Sequence, residues 1–142
     1  KNQLITCRRV RQQNGQDMSS FVSSLLFPVP RPSYDVNRWP GELLWIPRSL
    51  DYGRCEKGSC IPGVFLNCPN ARYLMLYFHS NGEDIGLCYN FVSGLGRILE
   101  VHVLIVEYPG YGLCPGTPSE ENLKLNAELA FRFVTQVLDI PG

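Results

Sequence analysis

The feature that most constrains this chain is an unbroken apolar run, Tyr73-Leu74-Met75-Leu76-Tyr77-Phe78, which stops at His79. A run of this length without alternating polar residues fits a strand covered on both faces, as in the parallel part of an α/β sheet. Ser80, Asn81 and Gly82 then suit a tight turn, and residues 84–99 take up helical spacing. A strand that feeds a helix through such a turn gathers backbone N–H groups at the carboxyl edge of the sheet. Open α/β sheets bind their ligands there.

The same pattern then repeats. Ile85, Cys88, Phe91, Val92, Leu95, Ile98 and Leu99 recur at three- and four-residue steps, one apolar stripe facing a sheet. Val101–Val106 reads as the next strand and delivers Glu107-Tyr108-Pro109-Gly110-Tyr111-Gly112 to the same edge. Thr117-Pro118-Ser119-Glu120 reads as a helix start, with Thr117 as cap and proline at the first helical position. That helix carries Leu123, Ala127, Ala130, Phe131, Val134, Val137 and Leu138 on one face and ends near Asp139. Upstream, residues 42–48 form a first strand, held at an edge or ended by Pro47, and residues 61–67 a second. A loop joins these two neighbours, which makes them an antiparallel pair.

The expected fold class is therefore α/β, with an antiparallel start followed by parallel β-α-β-α. Residues 1–27 read as a polar tail or lead-in carrying Arg8, Arg9 and Arg11, and residues 28–142 as the folded part. Four prolines between residues 27 and 40 mark an extended surface lead-in. About four strands under two helices leave an unpaired sheet edge, so the sequence reads as part of a larger sheet.

Composition removes several function classes. Thirteen basic and thirteen acidic residues cancel, which leaves no electrostatic footprint for nucleic acid. No apolar stretch reaches the roughly 18–20 residues of a membrane span. Of the six cysteines, Cys55, Cys60 and Cys68 lack a zinc spacing, and neither histidine lies beside them. They read as reduced cytosolic thiols with room for one loop bridge; Cys7, beside arginines, is a candidate for lipidation. No metal or cofactor is called for. His102, inside a strand, reads as structural.

Two stretches carry a family resemblance. His79-Ser80-Asn81-Gly82-Glu83-Asp84 resembles the His-Gly-Asn-Ala-x-Asp loop after the third strand of the α/β-hydrolase superfamily. Glu107–Gly112 with Gly116-x-Pro118-Ser119-Glu120 resembles the Tyr-x-Gly-Tyr-Gly…Gly-x-Pro-Ser-Glu segment after its fourth strand. The pairing is most similar to the branch of membrane-associated depalmitoylating thioesterases, and Pro32-Ser33-Tyr34 and Pro40-Gly41-Glu42 also resemble that branch. Ser80 stands where the family has Gly, and Gly82 where it has Ala.

The resemblance implies the amino-terminal half of a serine hydrolase that cleaves acyl esters or thioesters, with a lipidated protein among its substrates. It implies a cytoplasmic protein with peripheral access to membranes. The oxyanion donor would be the backbone N–H of Asn81, with Gly82 the close alternative. His79, Ser80, Asp84, Tyr108 and Tyr111 would support that loop, with Asp84 and Glu83 as acids of the first helical turn. The family's nucleophile sits on a Gly-x-Ser-x-Gly elbow after the fifth strand, and no such motif occurs in these 142 residues. None of the triad is therefore assigned here, and this stretch is expected to be inactive alone. Two other readings stand beside it: a peptidase of the same fold, and a short non-catalytic protein that pairs its open edge with a partner.

Overall fold

The computed structural model describes residues 22, 24–48 and 59–138. The tail with Cys7 and its arginines, the loop holding Cys55, and the end near Asp139 lie outside the described residues. Four strands and two long helices follow in chain order: β1 (Leu43–Pro47), β2 (Cys60–Leu66), β3 (Leu74–Phe78), α1 (Ile85–Leu99), β4 (His102–Val106) and α2 (Glu120–Gln136).

The strands form one sheet in the order β1-β2-β4-β3. β1 pairs antiparallel with β2, β2 antiparallel with β4, and β3 parallel with β4. The antiparallel start and the parallel β-α-β unit are those expected from the sequence. Pro47 sits on an edge strand, where its missing N–H costs no ladder bond.

β4, between two neighbours, is the strand covered on both faces: Val103, Leu104, Ile105 and Val106 are all fully buried. Its side chains alternate between two cores. Val103 and Ile105 pack with Val64, Ile85, Cys88, Val92, Tyr34 and Trp39. Leu104 and Val106 pack with Ile46, Ile61, Cys114, Leu129, Ala130 and Val134 on the other side. The two helices thus cover opposite faces of the sheet.

Several expectations need correction. The run 73–78 was expected to be buried on both faces, but β3 lies at the edge of the sheet among the described residues. Its strand residues are half-buried, with Phe78 38% and Tyr73, just before it, 74% exposed. An apolar run specifies burial in the finished sheet, not which neighbour provides it. The α1 stripe is narrower than its periodicity suggests: Ile85, Cys88 and Val92 are buried, whereas Phe91, Ile98 and Leu99 are exposed. In α2, Leu129, Ala130, Val134 and the polar Asn126 are buried, while Phe131 and the capping Val137 just past the helix are exposed. The cap of α2 is Ser119 rather than Thr117: its hydroxyl accepts from Asn122 N at 3.2 Å, and Glu120 and Glu121 fill the first turn. The helix ends at Gln136, a little before the expected stop.

The cysteines divide. Cys60 is disulfide-bonded, and Cys68, Cys88 and Cys114 are free thiols. His102 opens β4, accepts from Cys68 N at 3.2 Å through Nδ1, and stacks on Phe65.

Ile105 tests where the core is centred. Ile105→Ala should lower unfolding free energy by about 2–5 kcal/mol, and Ile105→Val by about 0.5–1.5 kcal/mol. Chemical denaturation of the two variants checks this ordering.

Candidate functional site

Register builds the site before any loop does. β3 and β4 run parallel with Phe78 opposite Val106, so the next residues, His79 and Glu107, leave the sheet side by side. They continue the rows of Met75, Tyr77, Val103 and Ile105, which face the α1 core. His79 Nε2 lies 2.7 Å from Glu107 Oε1, and both side chains are completely buried.

An isolated carboxylate in such a place would be prohibitively costly. Glu107 is instead ringed by donors. The Tyr34 hydroxyl donates to Oε2 at 2.7 Å, and the Ile85 backbone N–H to the same oxygen at 3.2 Å. Tyr108 N–H donates to Oε1 at 3.2 Å. Ile85 is the first residue of α1, so the carboxylate also faces the positive end of that helix. Burial, followed by the Glu107 charge, pushes the Tyr34 hydroxyl far above its usual range, so it stays a donor. On the opposite face, Asn126 of α2 donates to the Glu107 carbonyl at 3.2 Å.

Gly112 leaves room for this cluster. Its φ is +48°, and a Cβ there would come within 2.3 Å of Glu107 Oε2 and 2.6 Å of the Tyr34 ring.

The turn after β3 is gripped from three directions. The Tyr108 hydroxyl donates to the His79 carbonyl at 2.8 Å. The Tyr111 hydroxyl donates to Asn81 Oδ1 at 2.8 Å, and Asn81 Nδ2 donates to the Leu26 carbonyl at 2.6 Å. Glu83 N–H closes the turn onto the Ser80 carbonyl at 3.1 Å. Tyr108 and Tyr111 also pack against the His79 ring. Burial raises the pKa of both phenols, Tyr108 to about 12, so both remain protonated donors. Gly82, at φ +89°, turns the chain, and its backbone N–H faces the Tyr111 hydroxyl. Ser80 is exposed, its carbonyl 3.1 Å from His79 Nδ1. The Asn81 backbone N–H has no acceptor among the described residues.

Asp84 is the cap of α1, accepting from Leu87 N at 3.0 Å. It is completely buried because the lead-in covers it: Ser33 N donates to Oδ2 at 2.7 Å, and Ser33 Oγ donates to Oδ1. The proline-rich segment is therefore a strap across the site, tied at Leu26, Ser33 and Tyr34.

Every site residue expected from the sequence, namely His79, Ser80, Asn81, Gly82, Asp84, Tyr108 and Tyr111, falls in this one region. Sequence reasoning missed the residues that organise it: Glu107, Tyr34, Ser33 and Asn126. The available signal was an acidic residue directly after a fully apolar strand. A concavity lined by Glu42, Cys68, Tyr89, Arg97 and Val101 lies at the opposite end of β4.

Some chemistry is disfavoured by the same geometry. Burial, with the charges of Glu83 and Glu107, pushes the Cys88 thiol up to about 12, far from a thiolate nucleophile. Among the described residues, no group of three His, Cys, Asp or Glu side chains could hold a metal ion. No described helix is long and apolar enough to cross a membrane.

Comparison with known proteins agrees with this architecture. No family model matches the sequence. The chain is 38% identical over 128 residues to human alpha/beta hydrolase domain-containing protein 17B, covering 78% of this chain and 44% of that protein. It is 29% identical over 138 residues to alpha/beta hydrolase domain-containing protein aho-3 of Caenorhabditis elegans, covering 87% and 42%. The chain thus spans less than half the length of these relatives. Among solved structures, an alpha-beta hydrolase from Vibrio vulnificus superimposes with a TM-score of 0.64 at 17% identity, over 90% of this chain and 46% of that one.

Gly112→Ala should destabilise the protein by about 2–4 kcal/mol, through left-handed strain and collision with Glu107. A thermal melt of that variant checks the close packing of Gly112 on the carboxylate. Sheet order, register and sequence likeness together make the described residues the amino-terminal half of an α/β-hydrolase fold, and the chain belongs to the α/β-hydrolase superfamily, with similarity to its domain-containing-17 proteins.

Proposed function

We propose that this chain supplies the oxyanion half of a serine hydrolase that cleaves acyl esters or thioesters, the acyl group of a lipidated protein among them. The observation that carries this reading is the Asn81 backbone N–H. It lies at the carboxyl edge of the sheet, just ahead of the positive end of α1, in a turn held on both sides. It has no acceptor among the described residues. A fixed donor of this kind stabilises negative charge developing on an acyl oxygen, provided it sits about 2.7–3.1 Å from that oxygen. Gly82, whose N–H faces Tyr111, is the weaker candidate.

In this reading His79, Ser80, Asp84, Tyr108 and Tyr111 shape the turn and do not touch the substrate. The nucleophile, acid and histidine of the triad come from outside residues 1–142. A cytoplasmic protein acting at membrane surfaces fits a lipidated substrate. The thioester preference rests on the resemblance to the depalmitoylating branch. A non-catalytic interaction role finds support only in the edge position of β3 among the described strands.

A serine-reactive fluorophosphonate probe should label the endogenous protein, and that protein should hydrolyse a long-chain acyl thioester faster than a peptide amide. Residues 1–142 alone should give no turnover above a heat-killed control. Labelling without thioester turnover, but with amide cleavage, would favour the peptidase reading. No labelling at all would overturn the hydrolase reading.

A further inference from the structure

We propose that Glu107 and His79 are a buried pair of positioning residues that sets the aim of the Asn81 backbone N–H. This deepens the oxyanion reading and rests on it. Neither side chain would touch substrate, because both are completely buried.

The hydrogen-bond inventory defines the pair. Both ring nitrogens of His79 face acceptors: Nε2 meets Glu107 Oε1 at 2.7 Å, and Nδ1 meets the Ser80 carbonyl at 3.1 Å. A neutral imidazole has one N–H and can serve only one of them. Serving both takes hydrogen on both nitrogens, and the Glu107 carboxyl oxygens lie within hydrogen-bond distance of four groups, namely His79 Nε2, Tyr34 OH, Ile85 N and Tyr108 N.

The consequence for the turn is geometric. The His79 ring holds the Ser80 carbonyl on one side, and Tyr108, the residue after Glu107, holds the His79 carbonyl on the other. The His79 carbonyl is thus held by Tyr108, and the Ser80 carbonyl, which shares a peptide plane with the Asn81 N–H, is held by the His79 ring. Ser80 O in turn accepts from Glu83 N–H, which closes the turn around Asn81. Removing the carboxylate frees the ring and leaves the Ser80 carbonyl, and with it the peptide plane that carries the Asn81 N–H, held by Glu83 N–H alone. Leu26 holds the Asn81 side chain, and Tyr111 holds that side chain and faces the Gly82 N–H one peptide further on; the plane carrying the Asn81 N–H is held at the Ser80 carbonyl, by the His79 ring and by Glu83 N–H.

The test uses the full-length protein with Glu107→Gln, His79→Gln and the double variant. Active sites are titrated with the serine probe, so that loss of folded protein does not count as loss of rate. Each single variant should lower kcat per titrated site about 10²-fold with little change in KM, because a misaimed donor is felt in the transition state. The double variant should be no slower than either single, since both act through one turn. An unchanged kcat per titrated site, or additive losses, would overturn the proposal. Should Glu107→Gln not fold, Glu107→Asp keeps the charge but retracts it by one methylene and should lower kcat in the same way.

A second measurement separates this inference from the proposed reaction. Hydrogen exchange of the Glu83 amide reports closure of the turn without any substrate. In Glu107→Gln and His79→Gln it should speed up at least about tenfold while α2 amides keep their rates. If the wild type proves inactive, the reaction reading fails and the exchange result alone decides the positioning role. Equal acceleration throughout the protein, or none at Glu83, would overturn it.

Discussion

The Glu107 carboxyl group cannot stand in a dry interior without hydrogen-bond partners, and this requirement ties together parts of the chain that are distant in sequence. Tyr34 comes from the lead-in, His79 from the end of β3, Ile85 from the start of α1 and Tyr108 from the loop after β4. Asn126 adds α2 through the Glu107 carbonyl. Such an arrangement is a poor way to gain stability, because a well-packed apolar cluster would avoid the desolvation cost altogether. Its value lies in geometry: four segments meet at one carboxyl group and a fifth at the same residue's backbone carbonyl, and each is fixed relative to the turn that follows β3.

Much of the fold is legible in the sequence because period and punctuation agree. The runs at 61–66 and 101–106, the stepped apolar residues of 85–99, and the polar start near Ser119 each point to one element type. Neighbours are harder to read. Nothing local in Tyr73–Phe78 distinguishes a central strand from one whose second neighbour lies outside the described residues. The exposed Phe91, Ile98 and Phe131 fit helical stripes in sequence, yet the surface facing them is solvent among the described residues. Periodicity gives the apolar face of a helix without giving the width of the surface it meets.

The site is legible in a different way. Short-range signals placed His79, Asn81, Gly82 and Asp84 in one turn, and that placement follows from a strand ending in small residues. The role of Glu107 was hidden because it depends on register. Only the parallel pairing of Phe78 with Val106 brings residues 79 and 107 level. Ser33 and Tyr34 were hidden for a related reason: a proline-rich segment reads as a surface linker, and its 51- and 73-residue reaches to Asp84 and Glu107 leave no local trace.

The sheet order also dictates a schedule for biosynthesis. β3 pairs with β4 alone among the described strands, and β4 also supplies the second partner of β2. β3 emerges from the ribosome before α1 and β4 exist. At roughly 5–20 residues per second, Tyr73–Phe78 waits on the order of seconds before Val106 is made. During that interval this apolar strand has neither β4 nor α1 beside it, and its side chains stay in water until the next strand is made.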